Sequence, residues 1–131
     1  MLKEIPIKTS VRNELIDITS KIQAFVKESK IENGLCVVYC PHTTAGITVN
    51  ENADPDVKED LLLALEKIVP NVQFKHSEGN SDSHLKALIT GTEKTFIIEK
   101  GNIVLGTWQA IYFAEFDGPR NRKVFVKILK E

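Results

Sequence analysis

The nine residues His76–His84 combine two of the chain's three histidines with two carboxylates, an amide and three hydroxyls, and they include no apolar side chain. A polar surface loop seldom also contains two imidazoles. Apolar residues with helical spacing follow from Leu85, and Asn80 or Ser81 can cap the helix that they predict. The free backbone amides of a first helical turn attract anions. We therefore expect a polar, anion-binding site where this helix begins.

The third histidine, His42, follows a strongly apolar segment and precedes two threonines. Neutral imidazole is the commonest transition-metal ligand, and three protein ligands with one open position are typical of catalytic zinc. His42, His76 and His84 thus have the chemistry to bind one divalent metal ion together, either zinc or magnesium. Their spacing matches no standard zinc motif, so the alternative is three polar histidines with unrelated roles.

Oxygen-bearing side chains form a second cluster at Asn50, Glu51, Asn52 and Asp54. Such ligands suit Mg²⁺, which usually binds one or two carboxylates together with a substrate phosphate. Turn and capping chemistry is the alternative, because Asp54 precedes a proline at the predicted start of a helix. We assign Asn50 to substrate binding and Glu51 to catalysis, since both directly follow a predicted buried strand.

A third cluster combines Gln109 with Glu115, Asp117 and Arg120, near the two ends of a long predicted strand. The planar guanidinium of Arg120 suits bidentate binding of phosphate. A solvated or structurally paired arginine is the alternative. Glu115 and Glu78 are our candidates for a general base. The chain contains neither of the standard glycine-rich phosphate loops.

Hydrophobic periodicity predicts three helices among several strands. The helices are expected at 20–30, 55–70 and 81–90, and the strands at 3–9, 13–18, 35–40, 47–49, 95–99, 108–116 and 124–129. Residues 13–18 fit either a strand or the start of a helix, and we favour a strand. The last strand is expected to pair back on 108–116 as a hairpin. This order indicates an α+β fold with one mixed sheet and helices on one face.

The length of 131 residues indicates a single domain, residues 1–131. A net charge of −1 provides no strong field toward nucleic acid, and no apolar run approaches the roughly 20 residues of a membrane helix. Because Met1–Pro6 lacks the features of a signal peptide, we expect a cytoplasmic protein. Cys36 and Cys40 would lie roughly 13 Å apart along one strand, too far for a disulfide, and are expected to be free thiols.

Five polar segments carry a resemblance to a known family, and they are His42–Gly46, Asn50–Glu51, His76–Lys86, Gly106–Gln109 and Glu115–Arg120. In content and order they closely resemble the YjbQ-like family, also called the secondary thiamine-phosphate synthase family. The resemblance covers essentially the whole chain. It implies a compact α+β fold whose mixed sheet curves into a partial barrel with about three helices. It also implies a homotrimer with polar pockets near the subunit boundaries.

The activity that the resemblance implies is a weak thiamine-phosphate synthase, which joins hydroxymethylpyrimidine diphosphate to a thiazole phosphate and releases pyrophosphate. The protein must mainly neutralise the departing charge and orient the two substrates. We therefore expect a metal-dependent enzyme that acts on a phosphorylated small molecule. The expected site comprises catalytic Glu51, Glu78, Asn80, Gln109 and Glu115, substrate-binding Thr43, Asn50, Ser81 and Arg120, and the metal ligands His42, His76 and His84.

Two other functions fit the same residues. A metal-dependent hydrolase of an anionic small molecule would use metal-bound water as the nucleophile. A trimeric protein that binds an anionic metabolite without chemistry would use the same polar groups for recognition alone. Product analysis separates the two enzymes, and the absence of turnover with tight anion binding would favour the binding protein.

Overall fold

The computed structural model describes residues 1–70 and 72–131. Within them the elements follow in the order β1 (Leu2–Lys8), β2 (Glu14–Asp17), α1 (Thr19–Ser29), β3 (Gly34–Tyr39), β4 (Ala45–Glu51), α2 (Pro55–Ile68), α3 (Ser81–Thr90), β5 (Glu93–Glu99), β6 (Asn102–Ile103), β7 (Gln109–Glu115) and β8 (Asn121–Lys130). The three predicted helices are confirmed. The two-residue β6 was not predicted, because so short a strand has no measurable periodicity.

The strands form a five-stranded sheet in the order β1-β8-β3-β5-β6 and a three-stranded sheet in the order β2-β7-β4. Every pairing among the described residues is antiparallel, whereas we expected parallel pairs as well. The strands curl into a half-barrel that, with the three helices, makes one compact domain. The predicted α+β class and the partial barrel are therefore confirmed.

The predicted hairpin between the last two long strands is wrong. β7 pairs with β2 on one side and β4 on the other, so both of its edges are occupied. β8 pairs instead with β1 and β3 in the other sheet. The connection 116–120 thus carries the chain from the three-stranded sheet to the five-stranded sheet, and it brings its polar residues to the place where the two sheets meet.

The main hydrophobic core takes side chains from both sheets and from α1. Helix α1 buries Ile22, Phe25 and Val26, the face that its periodicity predicts. Strand β7 is buried on both faces, because Ile111 and Phe113 belong to the main core and alternate residues belong to a second cluster. That second cluster contains Leu15, Ala87, Ala110, Tyr112, Ala114 and Phe116, with leucines of α2 packed against it.

The helix ends follow their sequence signals only in part. Asp54 caps α2 by accepting a hydrogen bond from the backbone N–H of Asp56 at 2.9 Å, as predicted. Helix α1 has no side-chain cap, and Thr19 is its first residue. Its hydroxyl accepts a hydrogen bond from the backbone N–H of Ile111 at 2.8 Å, which ties α1 to β7.

Both cysteines, Cys36 and Cys40, are buried and free, as predicted. Burial raises the pKa of each thiol to about 11, so neither has the thiolate character of a reactive cysteine. Among the helices of the described residues, none has the length and apolar character needed to cross a membrane.

Candidate functional site

A cavity of about 460 Å³ gathers all three histidines of the chain. Its walls come from three connections and the elements beside them, namely the β3–β4 connection, the α2–α3 connection with the first turn of α3, and the β7–β8 connection with the start of β8. The lining residues are Pro41, His42, Thr43, Thr44, His76, Glu78, Asn80, His84, Asp117, Arg120 and Arg122. Seven of the site residues that we predicted from the sequence are among these lining residues.

Helix α3 is fixed against the sheet beneath it, and this places His84 at the cavity. The hydroxyl of Ser83 donates to the backbone carbonyl of Phe116 at 2.6 Å. At the other end of α3, the backbone N–H of Ile47 donates to the carbonyl of Gly91 at 3.1 Å. Strand β4 approaches so closely there that a Cβ on Gly46 would lie 2.5 Å from the same carbonyl oxygen. The first turn of α3 is therefore held in a defined position.

Arg122, which lines the cavity, forms a buried ion pair with Glu115. Arg122 donates from Nε to Glu115 Oε1 at 2.8 Å and from Nη2 to Oε2 at 2.5 Å. Glu115 also accepts from the Thr9 hydroxyl at 2.8 Å and from two backbone N–H groups. Burial alone would raise the pKa of Glu115, but the hydrogen bonds from Arg122 and Thr9 outweigh it and lower that pKa. Glu115 is therefore an ionised partner of Arg122, and it is not among the residues that line the cavity, where we expected a general base.

Arg122 has donors that this ion pair does not use. Its Nη2 also donates to the Thr44 hydroxyl at 2.8 Å. Among the described residues Nη1 makes no hydrogen bond, although the side chain is only 6% exposed. Arg122 lines the cavity. One end of a rigidly held guanidinium is thus available to a molecule in the cavity.

Asp117 links the helix start to the β7–β8 connection. Its Oδ2 accepts from Asn80 Nδ2 and from Arg120 Nη2, each at 2.9 Å, and its carbonyl accepts from Arg120 Nε at 2.7 Å. Burial would raise the pKa of Asp117, but these two side-chain hydrogen bonds lower it overall. Arg120 is half-exposed and paired, so the alternative of a structurally paired arginine describes its position.

Asn80 occupies the N-cap position of α3 but does not cap it with its side chain. Its amide nitrogen faces Asp117, and because Asp117 is ionised and can only accept, the amide oxygen must face the other way. That oxygen is buried and has no hydrogen-bond partner among the described residues. From the sequence we expected Asn80 to be a helix cap or a catalytic residue, and the structure makes it a partner of Asp117.

The three histidines divide into a pair and a single residue. The rings of His76 and His84 lie edge to face, with centroids 5.7 Å apart, and Glu78 Oε2 lies 3.8 Å from His76 Nε2. The Nε2 atom of His42 instead lies 3.1 Å from both the backbone nitrogen and the carbonyl oxygen of Lys123. Burial lowers the pKa of His42, and the Arg122 cation lowers it further.

The side chains that line this cavity are of types that bind metal ions, but the structure does not group them closely. Imidazole nitrogens and a carboxylate are ordinary ligands of zinc and related metals. In the part of the chain that the structure describes, however, no three His, Cys, Asp or Glu side chains are grouped closely enough to hold an ion. His76, His84 and Glu78 provide two imidazoles and a carboxylate on one wall, while His42 is engaged with backbone on another.

Three predicted site residues lie elsewhere. Glu51 and Gln109 pair across β4 and β7, at the opposite end of β7 from Glu115. The six residues of strand between Gln109 and Glu115 correspond to about 20 Å. Asn50 Oδ1 accepts from the backbone N–H of Glu51 at 2.8 Å, and Gln109 Oε1 accepts from that of Gly106 at 2.8 Å. Within one chain, Asn50, Glu51 and Gln109 are therefore not brought together with the histidines, because β4 leads away from the cavity.

Ser81 and Arg122 also lie in positions that differ from the sequence prediction. Ser81 begins α3 but is not among the residues that line the cavity. Arg122 was missed because β8 was predicted to start at residue 124. The residues of β8 alternate between buried and exposed, and Arg122 has the buried phase of Val124 and Val126. A charged residue in the buried phase of a strand requires a partner, and that signal was present in the sequence.

Known proteins are similar to this chain over nearly its whole length. The chain matches the family described as UPF0047 protein YjbQ-like over residues 3–131. UPF0047 protein MJ1081 of Methanocaldococcus jannaschii is 54% identical over 98% of this chain and 94% of its own length. UPF0047 protein YugU of Bacillus subtilis is 50% identical over 98% of this chain and 99% of its own length.

Solved structures agree with the fold. An uncharacterised conserved protein of the YjbQ/UPF0047 family from Clostridium acetobutylicum has a TM-score of 0.94 and 56% identity, and the match covers 97% of this chain and 99% of that one. A YbjQ-like protein of unknown function from Sulfolobus solfataricus also has a TM-score of 0.94, at 36% identity over 100% of this chain and 97% of that one. This chain belongs to the UPF0047, or YjbQ-like, protein family.

Proposed function

We propose that this protein is a small metal-dependent enzyme that acts on a phosphorylated small molecule in the histidine-lined cavity. The observation that carries the proposal is the convergence of three histidines and two arginines on one cavity, from segments far apart in sequence. Perturbed and buried ionisable groups around a polar cavity are typical of functional sites. The specific reaction that we propose is the thiamine-phosphate synthase reaction implied by the family resemblance.

The charges in the cavity support the need for a cation. Arg122 is balanced by Glu115, and Arg120 is balanced by Asp117. Glu78 adds a further negative charge. A phosphate or diphosphate therefore meets no net positive charge unless a divalent ion or a protonated imidazole supplies it. Because no three His, Cys, Asp or Glu side chains of the described residues are grouped closely enough to hold an ion alone, we propose that His76 and His84, whose rings lie 5.7 Å apart, hold it together with the substrate's phosphate oxygens, which it would neutralise.

The proposed reaction requires no general base from the protein. The thiazole nitrogen uses its lone pair to form a bond to the exocyclic carbon of the pyrimidine, and the carbon–oxygen bond to the diphosphate breaks. The electron pair leaves with the diphosphate, so no proton has to be removed. Arg122 and Arg120 can donate hydrogen bonds to the departing oxygens, and such preorganised donors account for much of the rate enhancement in many enzymes.

Hydrolysis of a phosphoester is the second candidate, and one feature favours it. Glu78 is 72% exposed and lies 3.8 Å from His76, so it can take a proton from an attacking water in the same cavity. In that reaction water would supply the nucleophile in place of the thiazole nitrogen. The two candidates share the cavity and differ only in the acceptor.

Product analysis with purified protein tests the proposal. The pyrimidine diphosphate and the thiazole phosphate would be supplied together with Mg²⁺, Mn²⁺ or Zn²⁺, and the products separated by chromatography. The coupled product with pyrophosphate supports the synthase, whereas free pyrimidine alcohol supports the hydrolase. His84→Ala should lower turnover at least tenfold, while Thr48→Val, away from the cavity, should not. Absence of both products with every metal would count against an enzyme.

We also infer a homotrimer, supported by two separate exposed apolar surfaces. The sheet patch consists of Leu35, Ile97 and Leu129, neighbours on β3, β5 and β8. The helix patch consists of Leu88 and Ile89 on α3, of which Leu88 is 77% exposed. A cyclic trimer needs two different surfaces that meet head to tail, whereas a two-fold dimer needs one. A second copy of this chain is therefore the occupant that we propose for each patch.

The cytoplasmic location that we expected remains part of this proposal. Its support is the state of Cys36 and Cys40, which are free and buried. Free thiols are the usual state of cysteine in reducing compartments.

A further inference from the structure

Arg122 and Thr44 have hydrogen-bond donors that no described residue uses, and both line the cavity. A guanidinium has five N–H groups. Nε–H and one hydrogen of Nη2 go to Glu115, and the other hydrogen of Nη2 goes to the Thr44 hydroxyl. Both hydrogens of Nη1 remain. Because Glu115 fixes the plane of the group at two points, Nη1 cannot turn away from its position.

The Thr44 hydroxyl is placed beside this unused end. Its oxygen accepts from Arg122 Nη2 at 2.8 Å, so its own proton is left to donate elsewhere. Among the described residues this hydroxyl donates no hydrogen bond, although Thr44 is only 6% exposed. The backbone carbonyl of Thr44 accepts from the N–H of Phe116 at 3.2 Å, which holds the residue in place.

Arg120, the arginine that sequence reasoning selected for phosphate, is in a different situation. Two of its nitrogens already donate to Asp117, and its side chain is 52% exposed. A solvated cation contributes less to anion binding than a buried one, because water screens its charge. The buried donors of Arg122 are therefore better placed than those of Arg120 to bind the anion.

We propose that Arg122 Nη1 and the Thr44 hydroxyl together form the oxyanion subsite of the cavity, and that they bind the phosphate group of the ligand. This inference rests on the proposed function for the identity of the anion as phosphate. It assigns Arg120 to the rim of the cavity. It also makes Glu115 a positioning residue, which acts on the ligand only through Arg122.

Phosphate binding, measured by isothermal titration calorimetry with inorganic phosphate at fixed Mg²⁺, tests the proposal without turnover. Thr44→Val removes the hydroxyl and preserves the shape of the side chain. It should weaken phosphate binding at least about tenfold, the usual effect of losing a hydrogen bond to a charged group. The matched control Thr48→Val, on β4 outside the cavity, should bind phosphate like the wild type.

The arginines are compared in the same assay. Arg122→Met combined with Glu115→Gln removes both charges of the ion pair and should reduce phosphate binding at least about thirtyfold. Arg120→Met should reduce it about threefold or less, and Lys127→Met controls for the loss of one exposed positive charge. Circular dichroism and thermal unfolding of each variant establish that it is folded.

Two outcomes overturn the subsite while leaving the proposed function intact. The first is phosphate binding by the wild type that Thr44→Val and the Arg122 variant leave unchanged. The second is a greater loss in Arg120→Met than in the Arg122 variant. If the wild type binds no phosphate with or without Mg²⁺, the subsite is overturned together with the phosphorylated ligand. Phosphate binding that Thr44→Val weakens, in a protein that forms neither the coupled product nor the pyrimidine alcohol with any metal, would instead contradict the proposed function alone.

Discussion

Arg122 and Glu115 join the two sheets of the half-barrel through a buried, two-point ion pair. Glu115 ends β7 in the three-stranded sheet, and Arg122 lies at the start of β8 in the five-stranded sheet. The pair is closed by hydrogen bonds of 2.8 Å and 2.5 Å. Arg122 of this pair also lines the cavity. The same contact therefore holds the fold together and presents a guanidinium to the proposed ligand.

Removal of one partner of this pair should strongly destabilise the protein. Glu115→Ala leaves the Arg122 cation buried without its counter-ion, and such changes typically cost about 3–5 kcal/mol in the free energy of unfolding. The combined change Glu115→Gln and Arg122→Met should cost clearly less, because no buried charge remains. Urea unfolding followed by circular dichroism measures both. Equal losses in the two proteins would show that the pair is not the cause.

Acid should destabilise the protein through Glu115. The pKa of Glu115 is lowered in the folded state, so the folded state binds fewer protons than the unfolded state near the ordinary glutamate pKa of about 4.3. The stabilisation is complete above that value and is lost as the pH falls through the folded-state pKa.

The uncharged pair Glu115→Gln with Arg122→Met is the matched control for this pH dependence. Its free energy of unfolding should fall less than that of the wild type between about pH 5 and pH 3. Asp117 also has a lowered pKa and remains in both proteins, so some acid sensitivity should persist. Identical pH profiles would remove Glu115 from the explanation.

Charges introduced into either apolar patch should dissociate the proposed trimer. Ile97, which is 56% exposed in the sheet patch, and Leu88 in the helix patch are the targets, as Ile97→Asp and Leu88→Asp. Light scattering during size-exclusion chromatography should show monomers for both variants and a trimer for the wild type. Val11→Asp changes an exposed apolar residue outside the patches and should remain trimeric. A wild-type monomer at micromolar concentration would contradict the assembly.

The two cysteines should be inert in the folded protein. Burial raises the pKa of Cys36 and Cys40 to about 11, so almost no thiolate is present at pH 8. We expect negligible labelling by iodoacetamide in native buffer and two labels per chain in urea, measured by mass spectrometry. Rapid native labelling of Cys40 would show that the strand next to His42 opens readily.

Local patterns determined much of this protein. The 3.6-residue periodicity fixed the buried face of α1, because a helix must bury one stripe of side chains. Asp54 before Pro55 fixed the start of α2 by capping chemistry. The polar segment His76–His84 indicated the cavity, since hydrophilic residues concentrated before a helix do not pack a core.

Tertiary structure decided the pairing of strands and the roles of the charged residues. The hairpin prediction for β7 and β8 was wrong, because pairing depends on which strand edges are already occupied. The same crossing between sheets brought Arg122 to Glu115 and left Asn50, Glu51 and Gln109 at the opposite strand ends. A sequence shows that a residue carries charge, but whether that charge meets a partner or a ligand depends on distances that only the folded chain sets.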